Sequence, residues 1–170
     1  KEDGLMVVDP VMGDNGKLYA HFDDAFVNEM KGLCKTADVI VPNLTEACYL
    51  TGFEYENAAN GNYLDLLSAL KTLCENPSVT GCDETLNGKT VCSVYYTSNG
   101  GSVKKYSTEK VEGSFHGAGD VYSSALVGAL ARGVDMDRSV KIAADFTTNS
   151  ILQTKLDGTQ ARYGLNSESQ

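Results

Sequence analysis

The hydrophobic positions fall into two alternating patterns. Leu5-Met6-Val7-Val8 is a continuous apolar run that stops at Asp9-Pro10, the signature of a strand buried on both faces of a parallel sheet. From Phe22 to Lys35, apolar residues at 26, 27, 30, 33 and 34 recur at helical spacing behind Asp23 and Asp24, where carboxylates complement a helix dipole. Val39-Ile40-Val41 predicts a second buried strand ended by Pro42. Thr45 predicts the cap of a short helix closing at Gly52. Tyr63, Leu66, Leu67, Leu70 and Cys74 mark another amphipathic helix, ended by Asn76-Pro77.

The second half changes character. Ser78-Val79-Thr80 predicts a third parallel strand, and the runs 90–96 and 102–106 flank Ser98-Asn99-Gly100-Gly101, a hairpin signal. A glycine loop from Gly113 to Gly119 opens a helix over 120–132. A last helix starts near Asp135 or Asp137 with Val140, Ala144, Thr147 and Ile151 on one face. Strands alternating with helices predict an α/β fold, with a mainly parallel sheet, one antiparallel hairpin and helices on both faces.

Composition narrows the partners. The 170 residues carry 14 Lys and Arg against 23 Asp and Glu, a formal charge of −9. That balance argues against binding by blanketing nucleic-acid phosphates, and no apolar run approaches the ~20 residues of a membrane span. Five cysteines without a CxxC pair predict reduced thiols in a cytoplasmic protein rather than a disulfide frame or zinc site. Cys48, Cys74 and Cys92 are expected to fill core. The chain begins Lys1-Glu2-Asp3-Gly4 and runs at once into an apolar strand, which predicts entry partway through a larger fold.

The strongest candidate chemistry is Phe115-His116-Gly117-Ala118-Gly119-Asp120. Small residues before a helix let backbone amides approach an anion. An isolated Asp120 would be an ordinary helix cap; beside that cradle it becomes a candidate base for a hydroxyl attacking a phosphoryl group. Asn43 and Glu46 follow a strand. They read either as a turn residue and a first-turn helix residue, or together as an oxygen-rich Mg²⁺ site. Asp9 and Asp14 bracket the loop after the first strand and read singly as turn formers. His116 has three readings: neutral packing against Phe115, contact with a substrate ring, or contact with phosphate. His21 and the charges at Lys104-Lys105 and Glu109-Lys110 read as solvated.

Taken together, the motifs resemble a known family. Asp9-Pro10-Val11-Met12-Gly13-Asp14 with Gly16-Lys17-Leu18-Tyr19, then Val41-Pro42-Asn43-Leu44-Thr45-Glu46-Ala47, resemble two segments of pyridoxal kinases. Gly117-Ala118-Gly119-Asp120 is similar to the signature of the ribokinase-like superfamily to which they belong. The resemblance implies a three-layer α/β/α domain of which residues 1–170 form the C-terminal, nucleotide- and Mg²⁺-binding part, the N-terminal portion being absent. It implies ATP-dependent phosphorylation of the 5′-hydroxymethyl group of a B6 vitamer by a cytoplasmic enzyme that is a homodimer when complete. Asp120 would be the base, with Gly117, Ala118 and Gly119 supplying amides to the phosphate. Asn43 and Glu46 would position Mg²⁺ and the ATP phosphates. Asp9 would help hold cations, Asp14 and Tyr19 would lie along the phosphates on a flap, and Thr80 would contact phosphate. Phe115 and His116 would line the substrate. Val41 stands where Thr is common, so a monovalent cation, K⁺ or Na⁺, has no side-chain ligand there but could still use a backbone carbonyl. His116 is reminiscent of the related hydroxymethylpyrimidine kinases, which usually carry Cys where this chain has Asp120. The alternatives are therefore a hydroxymethylpyrimidine or dual-substrate kinase, and a non-catalytic chain that only binds nucleotide.

Overall fold

The computed structural model describes residues 4–98, 100–113, 115–157 and 164–166. Asn99 of the expected hairpin turn, Ser114 of the glycine loop and residues 1–3 lie outside the described residues. Strand β1 (Val7–Val8) pairs in parallel with β4 (Val39–Ile40). Between them lie a small antiparallel hairpin, β2 (Gly13–Asp14) and β3 (Lys17–Leu18), and helix α1 (Asp24–Cys34). Then follow α2 (Leu44–Thr51), α3 (Tyr55–Ala59) and α4 (Tyr63–Leu70). A three-stranded antiparallel meander, β5 (Ser78–Leu86), β6 (Lys89–Thr97) and β7 (Val103–Glu109), precedes α5 (Ala118–Ala131) and α6 (Met136–Leu156).

Period-two alternation divides the interior into two cores, one on each face of the strands. Val8, Ile40, Val79 and Tyr95 point into a core made with α1, α2 and α4, where Leu66, Leu67 and Leu70 are fully buried. Their neighbours Val39, Val41, Val94 and Tyr96 point the other way, against Tyr122 and Leu126 of α5 and Val140 and Ala144 of α6. The fold is thus mixed α/β, with helices on both faces as the patterning predicts. Each fully buried Leu contributes about 1.5–3 kcal/mol, so both helix layers are held by packing.

Four local expectations are revised. Ser78–Thr80 does meet the parallel part through the bridges Ile40↔Pro77 and Asn43↔Thr80, but the strand runs on to Leu86 and pairs antiparallel with β6. The predicted hairpin is therefore the second half of a longer meander. Its first turn is Asn87-Gly88, with φ of 52° and 77°, the left-handed pair that a two-residue hairpin requires. Thr45 does not cap α2: Asn43 does, in a reciprocal capping box with Glu46. Cys34, Cys48, Cys74 and Cys82 are buried, but Cys92 is only half-buried. Burial pushes the Cys34 and Cys48 thiols up to about 11, which leaves them unreactive.

Candidate active site

A cleft of about 500 Å³ runs from β2 and the first turn of α2, past Thr80 and Gly81, to the start of α5 and the inner face of α6. Asp14, Asn43, Thr80, Phe115, Ala118 and Gly119, each singled out from sequence, line it. Parallel strands end here, where α/β sheets bind ligands.

One wall is a closed network. The Asn43 Oδ1 accepts from the Glu46 amide at 2.9 Å, and the Glu46 Oε2 accepts from the Asn43 amide at 2.8 Å. The other Glu46 oxygen accepts from the Met12 amide at 3.1 Å, and the Asn43 Nδ2 donates to the Gly13 carbonyl at 2.8 Å. The first turn of α2 is thereby tied to the β2–β3 hairpin. Glu46 is 3% exposed, and desolvation raises its carboxyl to about 7 against the opposing pull of the backbone donors. Each of its oxygens accepts one amide, so the capping box and the Met12 N–H fix the carboxylate's orientation.

The opposite wall is open. Gly117 caps α5 at φ 85°, a left-handed conformation, and among the described residues no side chain caps that helix. Among the described residues, the amides of Gly119 and Asp120 donate to no acceptor, while Val121 N–H closes the first turn on the Gly117 carbonyl. Asp120 sits in this turn, exposed, and is not the cap that an isolated Asp would be. Gly117 is required by its φ, not by crowding: an added Cβ would come no nearer than 4.0 Å to the Asp120 Oδ2.

Asp9 joins the two walls. It leaves the end of β1, is partly buried, and accepts a 2.5 Å hydrogen bond from Ser123 of α5. Desolvation raises its pKa, the Ser123 bond lowers it, and the nearby Asp120 charge raises it again. The Tyr19 phenol, raised first by desolvation, also feels Asp14, Glu46, Asp120 and Asp9. Four acidic groups therefore converge around the β2–β3 hairpin. The one Lys or Arg among the cleft's lining residues, Lys110, is paired with Asp83. Among the described residues none of the four acidic groups is in an ion pair, which fits a hard divalent cation. Among the described residues no three His, Cys, Asp or Glu side chains form a metal cage, so the fit is to a metal that shares its shell with phosphate and water.

Phe115 packs on Gly113, whose added Cβ would lie 2.7 Å from the ring, while His116 is exposed and outside the lining. Residues not named from sequence as site residues complete the far half of the cleft: Cys92, expected to fill core, with Val94, Thr108, Tyr122 and Thr148. Period-two alternation along β6 places Cys92, Val94 and Tyr96 on one face, and that is the sequence signal that points to them.

A model of the phosphomethylpyrimidine kinase family matches residues 1–164. The chain belongs to that family. Within it, the chain is 28% identical over 157 residues to a pyridoxine kinase of Bacillus subtilis, covering 88% of this chain and 54% of the relative. It is likewise 28% identical over 160 residues to a hydroxymethylpyrimidine/phosphomethylpyrimidine kinase of Helicobacter pylori, covering 91% and 56%. The crystal structure of the Leishmania donovani pyridoxal kinase with ADP and pyridoxine superimposes with a TM-score of 0.81 at 27% identity, over 99% of this chain and 57% of that one. The fold is that of the ribokinase-like kinases, as the motifs imply. The chain spans about half the length of the curated relatives it matches. Among the described residues no helix is long and apolar enough to cross a membrane.

Proposed function

We propose that this chain forms the nucleotide-binding and phosphoryl-transfer side of an ATP-dependent kinase acting on the hydroxymethyl group of a B6 vitamer. The observation that carries the reading is the first turn of α5: donor amides at Gly119 and Asp120, with Ala118 and Gly119 lining a nucleotide-sized cleft and the Asp120 carboxylate on the adjoining groove. Amides aimed at an anion stabilise charge developing on the transferring phosphoryl group. The Asp120 carboxylate takes the proton of the attacking hydroxyl as the oxygen–phosphorus bond forms. Thr80 and Asn43 border the phosphates, and Asp14 approaches them from the flap. Asp9, with Glu46 nearby, would help hold a Mg²⁺ that shares its shell with water and phosphate, and such an ion would neutralise charge on the phosphates. The Bacillus relative and the Leishmania structure, named for B6 vitamers, support the substrate class.

The family model and the Helicobacter relative favour a second reading, a hydroxymethylpyrimidine kinase. Asp120, in place of the cysteine usual in those enzymes, weighs toward the vitamer. Turnover of pyridoxal, pyridoxine, pyridoxamine and hydroxymethylpyrimidine with ATP-Mg²⁺, measured side by side, separates the readings. A preference of tenfold or more in kcat/KM for a B6 vitamer supports the first; the reverse preference establishes the second. Nucleotide binding without turnover of any of the four leaves a binding protein.

A further inference from the structure

The flap hairpin is held by more than its own pairing. Its turn, Asn15-Gly16, lies next to Thr45, a residue that caps nothing and is 2% exposed. The Gly16 amide donates to the Thr45 Oγ1 at 2.9 Å, across 29 residues of chain. Tyr55, at the start of α3, lies beside the same turn. The Tyr55 ring closes over Gly16 so tightly that a Cβ there would lie 3.0 Å from it. Asp14 and Asn15, the flap residues beside this contact, line the cleft.

We infer that Thr45, backed by Tyr55, is a positioning residue that latches the flap over the nucleotide phosphates, and that it acts through Gly16. This rests on the nucleotide reading of the cleft. A buried hydroxyl has two lone pairs with which to accept the flap's amide, and the Tyr55 ring packs against the same Gly16. Leaving the Gly16 amide unpartnered costs on the order of 1–3 kcal/mol unless the flap opens to water, so losing the hydroxyl favours the open flap. Asn43 and Glu46 hold the base of the same hairpin; Thr45 holds its tip.

The test compares Thr45→Val, Thr45→Ser, Gly16→Ala and the Thr45→Val/Gly16→Ala double variant. Hydrogen exchange at the Gly16 amide without nucleotide reads the latch itself, and ATP-Mg²⁺ titration with steady-state kinetics reads its effect. Thr45→Val is expected to speed Gly16 exchange about tenfold. It should raise the ATP Kd and KM roughly 3- to 10-fold, the size of one hydrogen bond, with kcat at saturation held within about twofold. Thr45→Ser should restore both readouts. Gly16→Ala should reproduce the affinity loss, and the double variant should lose no more than the worse single one. Unchanged Gly16 exchange in Thr45→Val overturns the latch. Fully additive affinity losses also overturn it, because Thr45 would then touch the nucleotide directly. Wild-type protein that binds no ATP-Mg²⁺ removes the kinase reading and the latch's purpose with it. Tight wild-type binding that Thr45→Val leaves unchanged removes the latch alone.

Discussion

The first turn of α2 and the first turn of α5 line the same cleft, and they are finished in opposite ways. In α2 the Asn43 side-chain amide and the Glu46 carboxylate are both satisfied, by backbone of the turn itself and of the flap. In α5 the cap is a left-handed glycine, two amides donate to no acceptor among the described residues, and Asp120 is exposed. A saturated helix start is rigid and has little left to offer a reactant. An unsaturated one costs stability and keeps its donors and carboxylate for a ligand. The two turns therefore divide positioning from chemistry, and substitutions in them should fail differently.

The largest expected effect is on turnover at the open turn. Asp120→Asn should lower kcat by about 10²–10⁴-fold, the usual contribution of a general base, while ATP affinity and the unfolding midpoint stay close to wild type. Near-normal turnover would return Asp120 to a surface role. The closed turn should show the inverse. Glu46→Ala leaves two buried backbone donors, at Met12 and Asn43, without their acceptor. It should cost about 2–4 kcal/mol in denaturant unfolding, a loss that Asp120→Asn does not share.

Proton linkage sharpens the contrast. Glu46 titrates at about 7 in the folded chain against an ordinary value of 4.5, so between those limits the folded state binds more protons than the unfolded one. Stability in metal-free buffer should then fall as pH rises from 4.5 toward 7 and level off above it, by up to about 3 kcal/mol. Glu46→Gln should flatten that slope. Denaturant midpoints across the window in both proteins check the sign.

The smallest expected effect is Gly117→Ala. The added Cβ meets nothing closer than 4.0 Å, so the cost is the left-handed backbone alone, about 1–2 kcal/mol. A modest fall in kcat should accompany it as the amides of the first turn shift.

The open turn is easier to find in the sequence than the closed one. Gly117 to Asp120 carries its meaning in composition, because small residues at a helix start have few other uses. The strand faces are readable too: Val39, Ile40 and Val41 alternate between two cores as period two requires. Asn87-Gly88 and Asn15-Gly16 are strong two-residue turn signals, and both form hairpins. The closed turn misleads, since Thr45 and Asn43 are both good caps on paper and only the reciprocal bond with Glu46 decides for Asn43. That Glu46 spends its oxygens on Met12 and Asn43 depends on contacts 34 and 3 residues away, and the longer of these has no local signature. The same holds for Ser123 reaching Asp9 across 114 residues.

Everything proposed for the two turns depends on ATP occupying the cleft between them. A second groove of about 700 Å³ lies between α5 and α6, walled by Val121, Ala125, Ile142 and Phe146, and Asp120 lines this groove rather than the cleft. Amide hydrogen exchange with and without ATP-Mg²⁺ decides between them most directly. ATP in the cleft predicts slowed exchange at Asp14–Gly16 and at Gly117–Asp120, with no change at Gly128, Ala129, Arg132 and Val134, which line only the second groove. Protection confined to those four residues, with the flap unaffected, would contradict it.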